Sequence, residues 1–460
     1  MMMVKEAAHV LRADWTGKDV LFTGVSTDSR TLKQGDLFVA LTGENFDGSR
    51  FVGSAEEKGA VAAMVKQEAD GNDLPASIPL IRVKDTRLGL GRLAAHWRDR
   101  HVIPIIGVTG SNGKTTVKEM IASILRQVTA DVEGETKEQL DHVLATEGNL
   151  NNDIGVPQML LRLRQQHQYA VIEMGMNHIG EISYLTQLAK PNIALITNAG
   201  AAHIEGLGSI EAVARAKAEI FEGLDQQGIA VINADDVYAP LWRRCAGSRR
   251  IVDFGLREKS QISADYQANP LMNRIKLKLP DGTEEVKLQA LGVHNIYNAL
   301  AAAAATAALG IKKELIASGL ECFQGVRGRM QKKLGLHQAL LIDDTYNANP
   351  DSVRAALAVL ASTEGRKILV LGDMGELGKS AVDLHRTIGR DARNAGLDKL
   401  LTLGELSAYA AEEFGKGAQH FNTIDELLNA TESLLANDVT LLIKGSRFMQ
   451  MERVVRQLEI

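Results

Sequence analysis

One stretch of this chain limits its fold more than any other. Residues 107–116 read Gly-Val-Thr-Gly-Ser-Asn-Gly-Lys-Thr-Thr; a strand-like run at 102–108 leads into them, and Val117, Met120, Ile121, Ile124 and Leu125 follow at helical offsets. A buried strand, a glycine-rich turn and an amphipathic helix in that order make a phosphate cradle. The glycines let backbone N–H groups converge on phosphate oxygens, and the helix N-terminus adds its partial positive charge. Lys114 is placed to reach the β and γ phosphates, and the Thr115 hydroxyl to ligate Mg2+. Gly107, Gly110, Ser111, Asn112, Gly113, Lys114, Thr115 and Thr116 are therefore the expected ATP-binding residues. The spacing is a variant, because the strict pattern G-x-x-x-x-G-K-[ST] requires glycine at 108, where this chain has Val108. A turn that merely joins strand to helix is the bland alternative, and it leaves Lys-Thr-Thr after the third glycine unexplained.

Around this loop, strand-like and helical segments alternate. Buried-strand candidates at 169–174, 192–197 and 228–233 predict a mostly parallel sheet covered on both faces. Before it, strand candidates at 21–25, 36–40, 60–65 and 79–83 suggest a small α/β unit closed by a helix over 86–98. After residue 325, strands at 339–343, 367–371, 399–403 and 439–443 begin a second alternating pattern. Its polar loops fall at the C-terminal strand ends, where open α/β sheets bind ligands. At 460 residues the chain exceeds what one hydrophobic core supports. The expectation is an α/β fold of three domains: a small one over 1–100, a central P-loop ATPase-like domain with a mostly parallel sheet over 101–324, and a Rossmann-like domain over 325–460. The acidic stretch at 129–144 reads as a surface insertion.

Composition removes several classes of function. Lys plus Arg total 52 against 57 Asp plus Glu, a net charge of -5 with no basic block, which gives a nucleic-acid partner no support. The two cysteines, Cys245 and Cys322, are far apart and make neither metal spacing nor a disulfide framework, in keeping with a reducing cytoplasm. The first residues lack the pattern of a secretory signal, and the longest apolar run, 299–309, falls short of the roughly 20 residues that cross a bilayer. A cytoplasmic chain without a membrane span is expected.

The spacing G-x-x-G-x-x-G-K-T-T resembles the Mur ligase and folylpolyglutamate synthetase superfamily, and other segments carry the resemblance along the whole chain. Ser-Thr-Asp-Ser-Arg at 26–30, followed by Gly-Asp-Leu-Phe-Val-Ala-Leu at 35–41, looks like the UDP-substrate domain of the family. Gly-Asn-Leu-Asn-Asn-Asp-Ile-Gly-Val-Pro at 148–157, Asn-Ala-Gly-Ala-Ala-His at 198–203, Asp-Asp-Thr-Tyr-Asn-Ala-Asn-Pro at 343–350 and Gly-Asp-Met-Gly-Glu-Leu-Gly at 372–378 resemble the branch that adds a terminal dipeptide. The Asp-Asn-Pro-Arg signature of diaminopimelate-adding relatives is absent, and Ser49 stands where the family commonly has the histidine of Asp-Gly-His.

The resemblance implies an ATP-dependent ligase. It would join D-alanyl-D-alanine to UDP-N-acetylmuramoyl-tripeptide through an acyl phosphate, giving the pentapeptide, ADP and phosphate in peptidoglycan precursor synthesis. Cell-wall biogenesis, and through it cell shape and division, would depend on that product, and a monomer is expected. Relatives that add single amino acids, and a nucleotide switch with no ligated product, are the competing readings. The resemblance assigns Mg2+ to Thr115, Glu173, His203 and Lys217, with Lys114, Lys217 and His203 catalytic. Glu173 closes a strand beside the phosphate loop, where a metal ligand belongs. Lys217 shares a helical face with Ile210, Val213, Ala214, Ile220, Phe221 and Leu224. Burial lowers a lysine's pKa, and a neutral amine can take up carbon dioxide; the family implies that carbamate, whereas the residues alone favour a snorkelling lysine. Asn295 and Asn298 are implied adenine or ribose contacts, or else capping asparagines; Arg329 and Asp344 are implied phosphate and ribose contacts that join only after the domains close. Ser29, Arg30, Asn151, Asn152, Tyr346 and Asn349 are the implied substrate-binding residues, although Arg30 reads equally as a solvated charge.

Overall fold

Strands that are apolar on both faces must be covered on both, and the central sheet follows that rule. In the computed structural model its six strands are all parallel and lie in the order Val143–Ala145, Tyr169–Glu173, Ile105–Thr109, Ile193–Ile196, Ile229–Asn233 and Arg250–Phe254. The structure describes residues 1–43, 46–69, 74, 77–129, 141–201, 204–267 and 272–460. Most of the surface insertion read at 129–144, residues 130–140, lies outside the described residues. From Ile105–Thr109 the chain runs to one edge of the sheet and later resumes on the other side at Ile193–Ile196. The phosphate loop therefore opens where the strand order reverses, the position at which such sheets take ligands.

The first strand begins at Ile105 and not at 102, because Val102 is 98% exposed. This register also explains the variant spacing. Val108 is a strand residue, fully buried and paired with Glu173 on one side and Leu195 on the other, so the turn proper starts at Gly110. Helices Lys114–Thr129, Val293–Ala308 and Lys313–Cys322 cover one face. Small residues let them approach closely: a Cβ on Gly319 would stand 2.3 Å from Ile124 Cα. The same core takes in an antiparallel sheet of Ser263–Gln267, Asn273–Leu279 and Gly282–Leu288, which the sequence reading missed.

In the first unit five strands lie in the order Asp14–Thr16, Leu80–Val83, Ala62–Lys66, Asp36–Val39 and Gly24–Ser26, with only the first pair antiparallel. Helix Thr86–Asp99 starts where the Asp85 carboxylate accepts from the N–H groups of Arg87 and Leu88 at 2.8 and 3.0 Å. Its Trp97 indole donates to Leu163 O at 3.0 Å. One apolar cluster runs from Phe22, Leu37 and Ile81 through Leu90 and Trp97 to Ile172 and Leu185, so the first and central units share a core.

The third unit has six strands in the order Gln331–Leu334, Leu340–Asp344, Val439–Lys444, Arg366–Gly372, Lys399–Leu403 and Ala418–Phe421. All are parallel except the edge strand Gln331–Leu334, which is antiparallel to its neighbour. Its core is separate, and among the described buried residues of the central unit only Leu291 joins it. Among the described residues no helix is long and apolar enough to cross a membrane.

Candidate active site

The C-terminal ends of the central strands open into a cleft of about 1050 Å3, lined from all three units. At its floor the phosphate loop adopts a backbone that only glycine tolerates at two positions. Gly110 has φ 151° and Gly113 φ 82°; a Cβ there would stand 1.8 Å from Thr197 Oγ1 and 2.3 Å from Asn298 Oδ1 respectively. Neighbouring strand ends hold the loop rigid. Asn112 N–H donates to Asn198 Oδ1 at 2.9 Å, and Asn112 O accepts from Thr197 Oγ1 at 2.6 Å and Asn198 Nδ2 at 3.1 Å. The Ser111 hydroxyl accepts from Gly200 N–H at 2.9 Å. Lys114 Nζ donates to Gly110 O at 2.7 Å, and burial holds its ammonium below the ordinary range while Glu173 pulls the other way. Ser111, Asn112, Gly113, Lys114 and Thr116 line the cleft; Gly107 lies back in the strand and Thr115 is buried below the loop.

Glu173 is almost fully buried at the end of its strand. Its N–H donates to Thr146 Oγ1 at 2.9 Å and its Oε1 accepts from Asn151 Nδ2 at 2.8 Å, whereas Oε2 is buried without a hydrogen-bond partner. An orphaned carboxylate oxygen beside a phosphate loop fits a hard divalent cation. Among the described residues no group of three or more His, Cys, Asp and Glu gathers, so phosphate or water oxygens would complete that cation's shell. His203 lies outside the described residues. Lys217, on helix Ile210–Ala218, is 1% exposed and has no hydrogen-bond or ion-pair partner among the described residues. Burial, and then the charge of Lys114, push its pKa well below the ordinary lysine range. Asn152 lines the cleft and also holds the turn that leads into helix Gly155–Leu160, its Oδ1 accepting from Ile154 and Gly155 N–H at 3.2 and 2.8 Å.

In this structure the third unit reaches the loop. Arg329 Nη2 donates to Thr115 Oγ1 at 3.1 Å, its guanidinium lies 4.3 Å from the centroid of the Tyr346 ring, and its Nε is buried without a partner. Two further bonds hold the units together: Asn349 Nδ2 donates to Asn112 Oδ1 at 2.8 Å and Ala201 N–H to Asp351 Oδ2 at 3.1 Å. Asp344 faces the cleft with its carboxylate paired to Lys444 Nζ at 2.5 Å. Asn295 and Asn298 also line it, tied to each other by a 2.8 Å bond from Asn298 Nδ2 to Asn295 Oδ1.

Two cleft features carry no role in the sequence reading. The Asp235 carboxylate accepts from Tyr297 Oη at 2.6 Å and from the N–H groups of Leu256, Arg257 and Glu258 at 2.8, 2.9 and 2.7 Å. Burial and that carboxylate push the Tyr297 phenol up to about 12. Asp235 follows a strand end, which was signal enough to flag it. Glu376 lines the cleft with a left-handed φ of 60°, rare for a residue with a side chain and typical of functional loops. By contrast Ser29 and Arg30 do not line the cleft. Arg30 is exposed and chelates Asp28, with Nη2 to Oδ2 at 2.7 Å, and this bond holds the Asp28 carboxyl down at about 2. The adjacent Thr27 joins the units, its Oγ1 accepting from Gln158 Nε2 at 2.5 Å.

A cleft lined from three units with a phosphate loop at its floor has the layout of an ATP-dependent ligase. The chain belongs to the Mur ligase family. The family's catalytic domain matches residues 21–98, the Mur ligase middle domain residues 108–306, and the glutamate ligase domain residues 328–447. UDP-N-acetylmuramoyl-tripeptide--D-alanyl-D-alanine ligase of Escherichia coli (strain K12) is 40% identical over 463 residues, covering 99% of this chain and 98% of that protein. The Bacillus subtilis (strain 168) protein of the same name is 36% identical over 447 residues, with 95% and 93% covered. Among solved structures, MurF from Acinetobacter baumannii superimposes with a TM-score of 0.89 at 37% identity, covering 98% of this chain and 97% of that one. MurF ligase from Thermotoga maritima in complex with ADP gives 0.81 at 25% identity, covering 96% and 98%.

Proposed function

We propose that this enzyme uses ATP to ligate D-alanyl-D-alanine to UDP-N-acetylmuramoyl-tripeptide, yielding the pentapeptide, ADP and phosphate for peptidoglycan synthesis. The observation that carries the reading is the convergence of Lys114, the orphaned Glu173 oxygen and Arg329 on one cleft shared by three units. The tripeptide carboxylate attacks the γ phosphorus of ATP and ADP leaves, giving an acyl phosphate. The dipeptide amine then attacks the acyl carbon, loses a proton, and expels phosphate. Negative charge builds on phosphate oxygens in the first step, and Lys114 and Arg329, which both line the cleft, supply the positive charge that stabilises it. Bound Mg2+ would neutralise the remaining phosphate charge, with Glu173 and Thr115 as its protein ligands.

Lys217 is best suited to a modified state. A buried amine held neutral reacts with carbon dioxide to give a carbamate and a proton, which turns a misplaced cation into a ligand for a second cation together with His203. Asn295, Asn298 and Asp344 take the nucleoside, Tyr346 lines the cleft for the substrate, and Ser29 and Arg30 take the UDP end with Asn151 and Asn152 near its pyrophosphate or sugar. Domain divisions near residues 100 and 324 and action as a cytoplasmic monomer complete the proposal. The test is to incubate the protein with ATP, D-alanyl-D-alanine and UDP-tripeptides carrying lysine or diaminopimelate, and to look for pentapeptide by mass. ATP-dependent pentapeptide from either one supports the reading; a folded protein that forms no pentapeptide from either overturns it.

A further inference from the structure

Asn349 precedes helix Pro350–Ala361, and the two ends of its amide serve different units of the molecule. Its Oδ1 accepts from Ser352 N–H at 2.9 Å, and its own N–H donates to Ser352 Oγ at 3.0 Å, a reciprocal cap on the helix. Its Nδ2 crosses to the phosphate loop and donates to Asn112 Oδ1 at 2.8 Å. The loop cannot easily yield to that pull, because the Asn112 peptide is bound on both sides by Thr197 and Asn198. A rigid helix of the third unit is thus tied through one side chain to a rigid turn of the central one.

The cap by itself does not account for asparagine. An N-cap needs only an oxygen, which serine or threonine supplies as well, and Pro350 already presets the first helical turn. The nitrogen is surplus to capping and is spent on Asn112. With both amide ends engaged by protein, little is left for a substrate. We propose that Asn349 is a positioning residue: it holds helix Pro350–Ala361, and with it the third sheet, closed on the phosphate loop through Asn112, and so keeps Arg329 within reach of Thr115. The flanking bond from Ala201 N–H to Asp351 marks the same seam.

Asn349→Ser separates the two duties, since serine caps the helix but is too short to reach Asn112; Asn349→Ala removes both. The full-length variants are compared by thermal melting, by small-angle scattering without ligands and with ADP and Mg2+, and by steady-state turnover. Asn349→Ser is expected to melt with the parent, to scatter as a more extended particle, and to lose roughly fivefold in kcat, the factor by which one neutral hydrogen bond shifts an equilibrium. Asn349→Ala should lose as much activity and melt lower as well. The proposal is overturned if Asn349→Ser keeps the parent's scattering and kcat, if it raises only the KM for the UDP-tripeptide, or if it melts as low as Asn349→Ala. The scattering arm involves no ligation, so it stands or falls separately from the ligase reading.

Discussion

Lys444 and Asp344 are paired twice: they are register partners on adjacent parallel strands, and their side chains meet at 2.5 Å with 3% and 12% exposure. Removing one member leaves the other charge buried and alone, which costs about 3–5 kcal/mol, whereas replacing both with apolar residues is close to neutral. Lys444→Met should therefore lower the urea midpoint sharply, and the double variant Lys444→Met, Asp344→Leu should recover most of it. Additive losses in the double variant would show that the pair is not coupled.

Among the described residues Lys114 hydrogen-bonds only its own loop, through Gly110 O. Lys114→Ala should leave the melting temperature near the parent's while pentapeptide formation falls roughly 100-fold or more, the scale of losing one charge-stabilising group. A folded variant with substantial turnover would refute the assignment of the phosphate loop.

Lys217→Ala should be inactive and recover part of its activity in high acetate or formate, which can occupy the vacated anion position. Lys217→Arg should remain inactive, because arginine stays cationic and forms no carbamate. Full activity in Lys217→Arg would mean that the lysine is structural.

His294 supplies a pH dependence. Burial pushes its pKa down to about 4 against the pull of Asp344, while in the unfolded chain it titrates near 6.5. Between those values the unfolded chain holds more protons, so stability is intact above about pH 6.5 and declines as pH falls towards 4. Its Nε2 accepts from Asn295 Nδ2 at 3.2 Å when the ring is neutral. His294→Gln keeps an acceptor and removes the titration, and should flatten the fall in denaturation midpoint across that window. Parallel curves for variant and parent would assign the pH dependence elsewhere.

What the sequence disclosed follows from how local each signal is. The phosphate loop is contiguous and its glycines answer to clashes with Thr197 and Asn298, so pattern alone found it. Lys217 stood out because a charge in an apolar helical stripe is visible without a structure. The strand Asn273–Leu279 was also legible, its Ile275, Leu277 and Leu279 alternating with Lys276 and Lys278, but the α/β rhythm around it drew the reading elsewhere. The Asp235–Tyr297 bond and the reach of Arg329 to Thr115 join residues far apart in the chain, and no spacing rule encodes them. Ser29 and Arg30 show the converse: a contiguous motif fixed their identity but not their distance from the cleft.

The core that Trp97 and Leu90 share with Ile172 and Leu185 turns two of the three units into a single rigid frame. If, as proposed, the first unit grips the substrate's nucleotide end, the frame would measure the stem as a caliper does, with the phosphate loop as its other jaw. A stem one residue short would leave its carboxylate suspended before Lys114, and one residue long would drive it past. Under that proposal the frame itself would select stem length.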